Sequence, residues 1–170
     1  HSYGAFSDQP SFYLGSDRFN EEVFQSFLSQ TVDVAMEAFE SRVPAKVGIG
    51  WEKDWDPDDA IYRDRRGVNN DLVIWEDGPE VNGKDPHLAV FRVDTLDDKP
   101  IALMTVFGMH GITLDADNPM LSVDSPGHVE IAVQEAFDEP VVVMFVQGSG
   151  GDASPAGGDN GYAKMESVGD

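Results

Sequence analysis

The chain has 170 residues, 41% of them hydrophobic, enough for one real core and too few for two ordinary domains. Eleven Lys and Arg stand against 32 Asp and Glu, and the resulting net charge of −21 repels phosphate backbones and anionic lipid headgroups, which excludes nucleic acid as an expected partner. Cysteine is absent, so disulfides, thiolate metal sites and thiol nucleophiles are excluded too.

Residues 16–42 read as one amphipathic helix, with Val23, Phe24, Phe27, Leu28, Val32, Ala35 and Phe39 at helical spacing. Ser16 or Asp17 is the expected cap, Glu21 and Glu22 fall in the first turns, and Pro44 ends it. Residues 46–51 follow as a strand, and the acidic stretch 52–59, with its Pro and Trp, reads as loop. Residues 77–86 carry Pro, Gly and Asn and read as a surface loop. The β-rich runs 88–93 and 101–107 suggest an antiparallel hairpin, and the nearly all-apolar second run suits the inside of a sheet.

Ser125 and Pro126 open a capped helix with Val129, Ala132, Val133, Ala136 and Phe137 on its apolar side. Residues 141–146 read as a buried strand that runs into Gly148-Ser149-Gly150-Gly151-Asp152-Ala153-Ser154-Pro155, and residues 156–170 read as a loop or ragged end. The order of elements predicts an α/β fold, a mixed sheet with flanking helices. No run approaches the roughly 18 apolar residues a membrane span needs. The first residue is His rather than Met, and the chain is expected to be a fragment, 1–170, of a larger catalytic domain.

Two strand ends carry candidate chemistry: His110 after the run 101–107, and Asp152 with Ser154 after 141–146. The carboxyl ends of strands in α/β sheets are where ligands usually bind, because loops meet there. Gly108 and Gly111 are expected to leave room beside the His110 imidazole for a metal or substrate. A lone His at such a position serves a structural hydrogen bond as readily, and no close pair such as HxxxH or HExxH accompanies it. Glycines before Asp152 would let backbone amides approach a developing oxyanion, with Pro155 stiffening the turn. From the motif alone, a tight Asp-Ser turn capping its own backbone is an equal reading. Arg63, Arg65 and Arg66 are the one dense basic group, suited to holding a carbonyl or oxyanion or to pairing with nearby acids.

Taken together, five segments resemble the neutral/alkaline, non-lysosomal ceramidase family. His1-Ser2 is similar to the second half of its His-Thr-His-Ser-Gly-Pro motif, and Asp64-Arg65-Arg66 to its Asn-Arg-Arg or Asn-Arg-Ser. Lys99-Pro100-Ile101-Ala102 and the strand to His110-Gly111 resemble its strand before His-Gly-Thr or His-Pro. Leu121-Ser122-Val123-Asp124-Ser125-Pro126-Gly127 resembles its Ser-x-Asp-x-x-Gly helix start. Phe145-Val146-Gln147-Gly148-Ser149-Gly150-Gly151-Asp152-Ala153-Ser154-Pro155 resembles its Gln-x-Asn-x-Gly-Asp-x-Ser-Pro.

The resemblance implies an enzyme that cleaves the amide of ceramide or a related N-acyl lipid, releasing a sphingoid base and a fatty acid, with water activated by zinc on two His, one Glu and one Tyr. It implies His110 as a zinc ligand, Ser154 as the active serine supported by Asp152, His1 as a substrate-facing histidine and Arg65 as a substrate or oxyanion contact. The other zinc ligands would lie outside these residues, so the fragment alone is expected to be inactive. A secreted or periplasmic setting fits the acidic composition. Tyr3-Gly4-Ala5, Asp64, Ser149 and Ala156 depart from the family's pattern. The alternatives are therefore a non-sphingoid N-acyl substrate or a ligand-binding member without turnover.

Overall fold

The computed structural model describes residues 20–64, 84–115, 118–120, 122–151 and 153–170. They belong to two compact units, residues 1–44 and 45–170.

The described part of the first unit is α1 (Glu21–Glu40), whose apolar Val23, Phe27, Leu28, Val32 and Phe39 recur at helical spacing. Its cap is Asn20, one turn later than expected: the side chain accepts a hydrogen bond from Val23 N at 3.1 Å. Glu21 and Glu22 then sit in the first turn, where the unpaired N–H groups favour negative charge. Among the described residues no helix is long and apolar enough to cross a membrane.

The second unit is built on a four-stranded mixed sheet in the order β1-β3-β4-β5, from β1 (Ala45–Glu52), β3 (Leu88–Thr95), β4 (Pro100–Phe107) and β5 (Val142–Gln147). β3 runs antiparallel to both its neighbours, β1 and β4, and the β3–β4 hairpin has the predicted place. β5 lies parallel to β4, with the helix α2 (Asp124–Glu135) in the crossover. The expectation of a buried strand at 141–146 needs correction. β5 is the sheet edge, and its side chains alternate, with Val143 buried while Val142 is 64% exposed.

Two short strands escaped the sequence reading, β2 (Tyr62–Asp64) and β6 (Ala153–Pro155), which pair antiparallel with Arg63 opposite Ser154. Pro155 therefore lies in a strand rather than a turn. Residues 156–170 are also corrected: they form α3 (Tyr162–Gly169), with Val168 buried, packed against α2. The core gathers Tyr62, Phe107, Met109, Val129, Ala153 and Val168. Phe107 is its centre, with ring centroids 5.7 Å from Tyr62 and 5.0 Å from Phe145.

The loop at 84–86 is not a simple surface loop. The Lys84 side chain is 1% exposed; its Nζ lies 3.0 Å from Asp56 Oδ2 and 2.6 Å from Asp59 Oδ1, and it donates to Tyr62 O at 3.0 Å. Composition marks Lys as a surface residue, but two carboxylates and a carbonyl make this burial tolerable.

Candidate active site

The site grows out of the core. Met109 and Ala153 are both fully buried, and each holds a candidate residue at the next position, His110 and Ser154. The two are brought together through the main chain: His110 N donates to Ala153 O at 2.9 Å. The loop after β4 is thereby laid against β6. His110 Nε2 also donates to the Gly151 carbonyl at 3.2 Å, which in a neutral ring leaves the lone pair on Nδ1.

Ser154 is 9% exposed, and its Oγ has no hydrogen-bond partner among the described residues. Trp55 Nε1 and Thr105 Oγ1 share that condition. Ser154 differs from them because its neighbour's carbonyl receives the His110 loop. A buried hydroxyl with unspent hydrogen-bonding capacity is costly to the fold, and a bound polar group would relieve the cost.

Several glycines in both loops admit neighbouring stretches of the protein's own chain. A Cβ on Gly108 would lie 2.6 Å from Ser149 O, and one on Gly111 would meet Asp124 Cβ at 3.2 Å and Pro126 Cδ at 3.3 Å. The space at Gly108 and Gly111 is filled by the protein's own chain. A Cβ on Gly148 would lie 3.0 Å from the Phe107 carbonyl carbon, and Gly148 N donates to Phe107 O at 2.9 Å. Within 148–151, Gly151 alone has nothing within 4 Å of a built Cβ. It marks the open side of the loop.

Downstream of His110 the loop is held by Asp124, which the sequence offered only as a helix start. The expected side-chain cap of α2 is absent; Val123 occupies that place, and Asp124 adopts φ 57°. Its carboxylate instead accepts from Thr113 N at 2.9 Å, Leu114 N at 3.0 Å, Ser125 N at 2.7 Å and the Thr113 hydroxyl. Burial pushes the Asp124 carboxyl upward, but the hydrogen bonds from Thr113, Ser125 and Leu114 outweigh it and hold the pKa below the ordinary value of 3.8.

A second carboxylate reaches the same loops. Asp85 Oδ1 accepts from His87 Nδ1 at 2.6 Å, and the Ser149 hydroxyl lies near enough to its carboxylate to favour the charged form. Here too burial raises the pKa and the donors, His87 and Ser149, bring it below the ordinary range.

His1, Arg65 and Asp152 lie outside the described residues. Arg63, directly across from Ser154, is the described basic residue nearest to it in strand register, and its side chain is exposed. Among the described residues no group of three or more His, Asp or Glu side chains is placed to hold a metal ion. A catalytic zinc needs about three protein ligands, so the described residues do not by themselves fit one.

No protein-family model and no curated protein matches the chain. Solved structures do. The neutral ceramidase from Pseudomonas aeruginosa superposes on 98% of this chain with a TM-score of 0.78 at 19% identity, and a ceramidase complexed with C2 on 89% with a TM-score of 0.73, also at 19%. The chain has the neutral ceramidase fold. It spans about a quarter of those two structures, 27% and 24% of their lengths. At this identity the likeness is one of architecture, and the ceramidase-like fold explains the mixed sheet and the order of its loops rather than any single side chain.

Proposed function

We propose that the protein carrying this chain is an amide hydrolase that cleaves the N-acyl bond of ceramide or a related N-acyl lipid into a sphingoid base and a fatty acid. The observation that carries this reading is the buried, unpartnered Ser154 hydroxyl, one residue from the carbonyl that receives His110. The ceramidase fold supports the substrate class. Ser154 offers a hydroxyl to the scissile carbonyl, and the Gly151 side of the loop is open to an approaching acyl group. His1, Arg65 and Asp152 are proposed to complete the substrate contacts.

Zinc is proposed as the cofactor, with His110 contributing one imidazole and the remaining ligands coming from outside the described residues. Such an ion, when bound, polarises a carbonyl and lowers the pKa of water. The acidic composition supports a secreted or periplasmic setting.

The test uses the full protein and His110→Ala. Bound zinc and hydrolysis of a short-chain fluorescent ceramide should fall together in the variant. Full activity in His110→Ala would eliminate the proposed role of His110. Hydrolysis of a simple N-acyl amino acid but not of the ceramide would keep the amidase and discard the lipid.

A further inference from the structure

The Gln147 side chain lies at the end of β5, where strand pairing with β4 stops. Phe107 is opposite Gln147 in the parallel register, and Gly148 N still bonds Phe107 O. Beyond that point the ladder stops, and Met109 has no strand partner on the β5 side. The Gln147 amide takes that role: its nitrogen donates to Met109 O at 2.7 Å and its oxygen accepts from Met109 N at 3.0 Å. One primary amide thus reproduces both bonds a strand would make to a single residue, in donor and acceptor order.

Gly150 makes the arrangement possible. A Cβ at that position would fall 1.8 Å from the end of the Gln147 amide and 3.2 Å from Met109 N, so any side chain at 150 would push the amide off Met109. Met109 is the residue before His110, and its own side chain is fully buried. The Gln147 bond to Met109 O and the bond from His110 N to Ala153 O grip the same peptide from its two sides, the one that leads into His110.

We infer that Gln147 is a positioning residue: its amide fixes the Met109 peptide and through it the place of His110, with Gly150 kept free of a side chain for that purpose. This rests on the proposed role of His110, and it extends that reading to residues that touch neither substrate nor metal. A side chain serving only stability would be a poor candidate here, because Gln147 is exposed and its loss opens no cavity in the core.

Two substitutions at different positions reach the same contact. Gln147→Leu removes the amide, and Gly150→Ala leaves it in place chemically but displaces it. In the full protein, both should speed hydrogen exchange of the Met109 and His110 amides by about tenfold while the rest of β4 and β5 keeps its protection. Both should lower kcat for the short-chain ceramide by about tenfold at unchanged KM, the signature of a reacting group slightly misplaced. Melting temperatures should stay within about 2 °C of the parent.

Unchanged exchange at Met109 and His110 would overturn the inference, as would exchange accelerated evenly across the sheet. Faster exchange with unaltered kcat would overturn it as well, by showing a loosened loop without consequence for the chemistry. A parent protein inactive on amides would instead overturn the proposed function, and the exchange arm would still decide whether Gln147 holds the His110 loop.

Discussion

Asp56 and Asp124 solve one problem in two ways. Each is an L-residue in the left-handed region, at φ 56° and 57°, and each folds a loop around its carboxylate. Asp56 accepts from Ala60 N at 2.7 Å and from Ile61 N and Tyr62 N at 3.0 Å, then adds the buried ammonium of Lys84. Asp124 makes the same kind of amide cage but completes it with the Thr113 and Ser125 hydroxyls and, among the described residues, with no cation. Both carboxyls lie below the ordinary 3.8: burial raises each, and the backbone amides, with Lys84 or Thr113, overcome it. The pairs differ in what they anchor. Asp56 with Lys84 holds β2, the partner of the strand bearing Ser154, and Asp124 holds the loop bearing His110.

The comparison breaks most severely at Lys84. Lys84→Ala leaves Asp56 and part of Asp59 buried without their cation, and a loss of about 3–5 kcal/mol is expected in denaturant unfolding. It would also unload Tyr62, whose hydroxyl pKa is raised to about 12 by burial and by the Asp56, Asp85 and Asp59 charges, and whose ring carries the ammonium at 4.3 Å from its centroid. A cost below about 1 kcal/mol would mean that the amide cage alone suffices and that the two loops are held alike.

Asp124→Asn should cost less, about 2–3 kcal/mol at pH 7, because Asn cannot accept all the Asp124 bonds. Since the folded pKa lies below the unfolded 3.8, this stability is complete above that value and is lost as pH falls through the lower folded value. In melts taken from pH 7 downward, the gap between parent and variant should therefore narrow once the pH falls below 3.8. A constant gap across the range would contradict the charged form as the source.

The smallest effect sharpens the glycine packing between the loops. Gly108→Ala, built 2.6 Å from Ser149 O, should cost about 1–3 kcal/mol, whereas Gly151→Ala, with nothing within 4 Å, should stay within about 0.5 kcal/mol. Equal costs at the two positions would mean that the close approach of the loops contributes nothing.

What the sequence made legible follows from period and length. α1, α2 and the four long strands β1, β3, β4 and β5 each span six residues or more with a readable apolar pattern. β2 and β6 have three residues apiece, too short for any period, and exist because Tyr62 and Ala153 are drawn into the Phe107 core. α3 was hidden by the glycines before it; Gly161 at φ 145° starts it without a side-chain cap, and burial of Val168 holds it.

At the candidate site, His110 and Ser154 stood out in the sequence by their place after strands, and the structure joins their loops through His110 N and Ala153 O. The meaning of Gly108 and Gly111 was not legible, because a glycine that admits a ligand and one that admits another stretch of backbone look alike in sequence. Asp124 read only as part of a helix start, because Asp opens many helices. Its actual partners, Thr113 and Leu114, are fixed only by the tertiary fold.

The central claim is that Ser154 acts on the amide of an N-acyl lipid, and the most direct measurement is release of fatty acid and sphingoid base from a short-chain ceramide by the full protein and by Ser154→Ala. The account predicts equimolar products from the parent and a fall of at least about a hundredfold in kcat for a variant that keeps its fold and its zinc. A folded Ser154→Ala protein that hydrolyses the ceramide at the parental rate would contradict it.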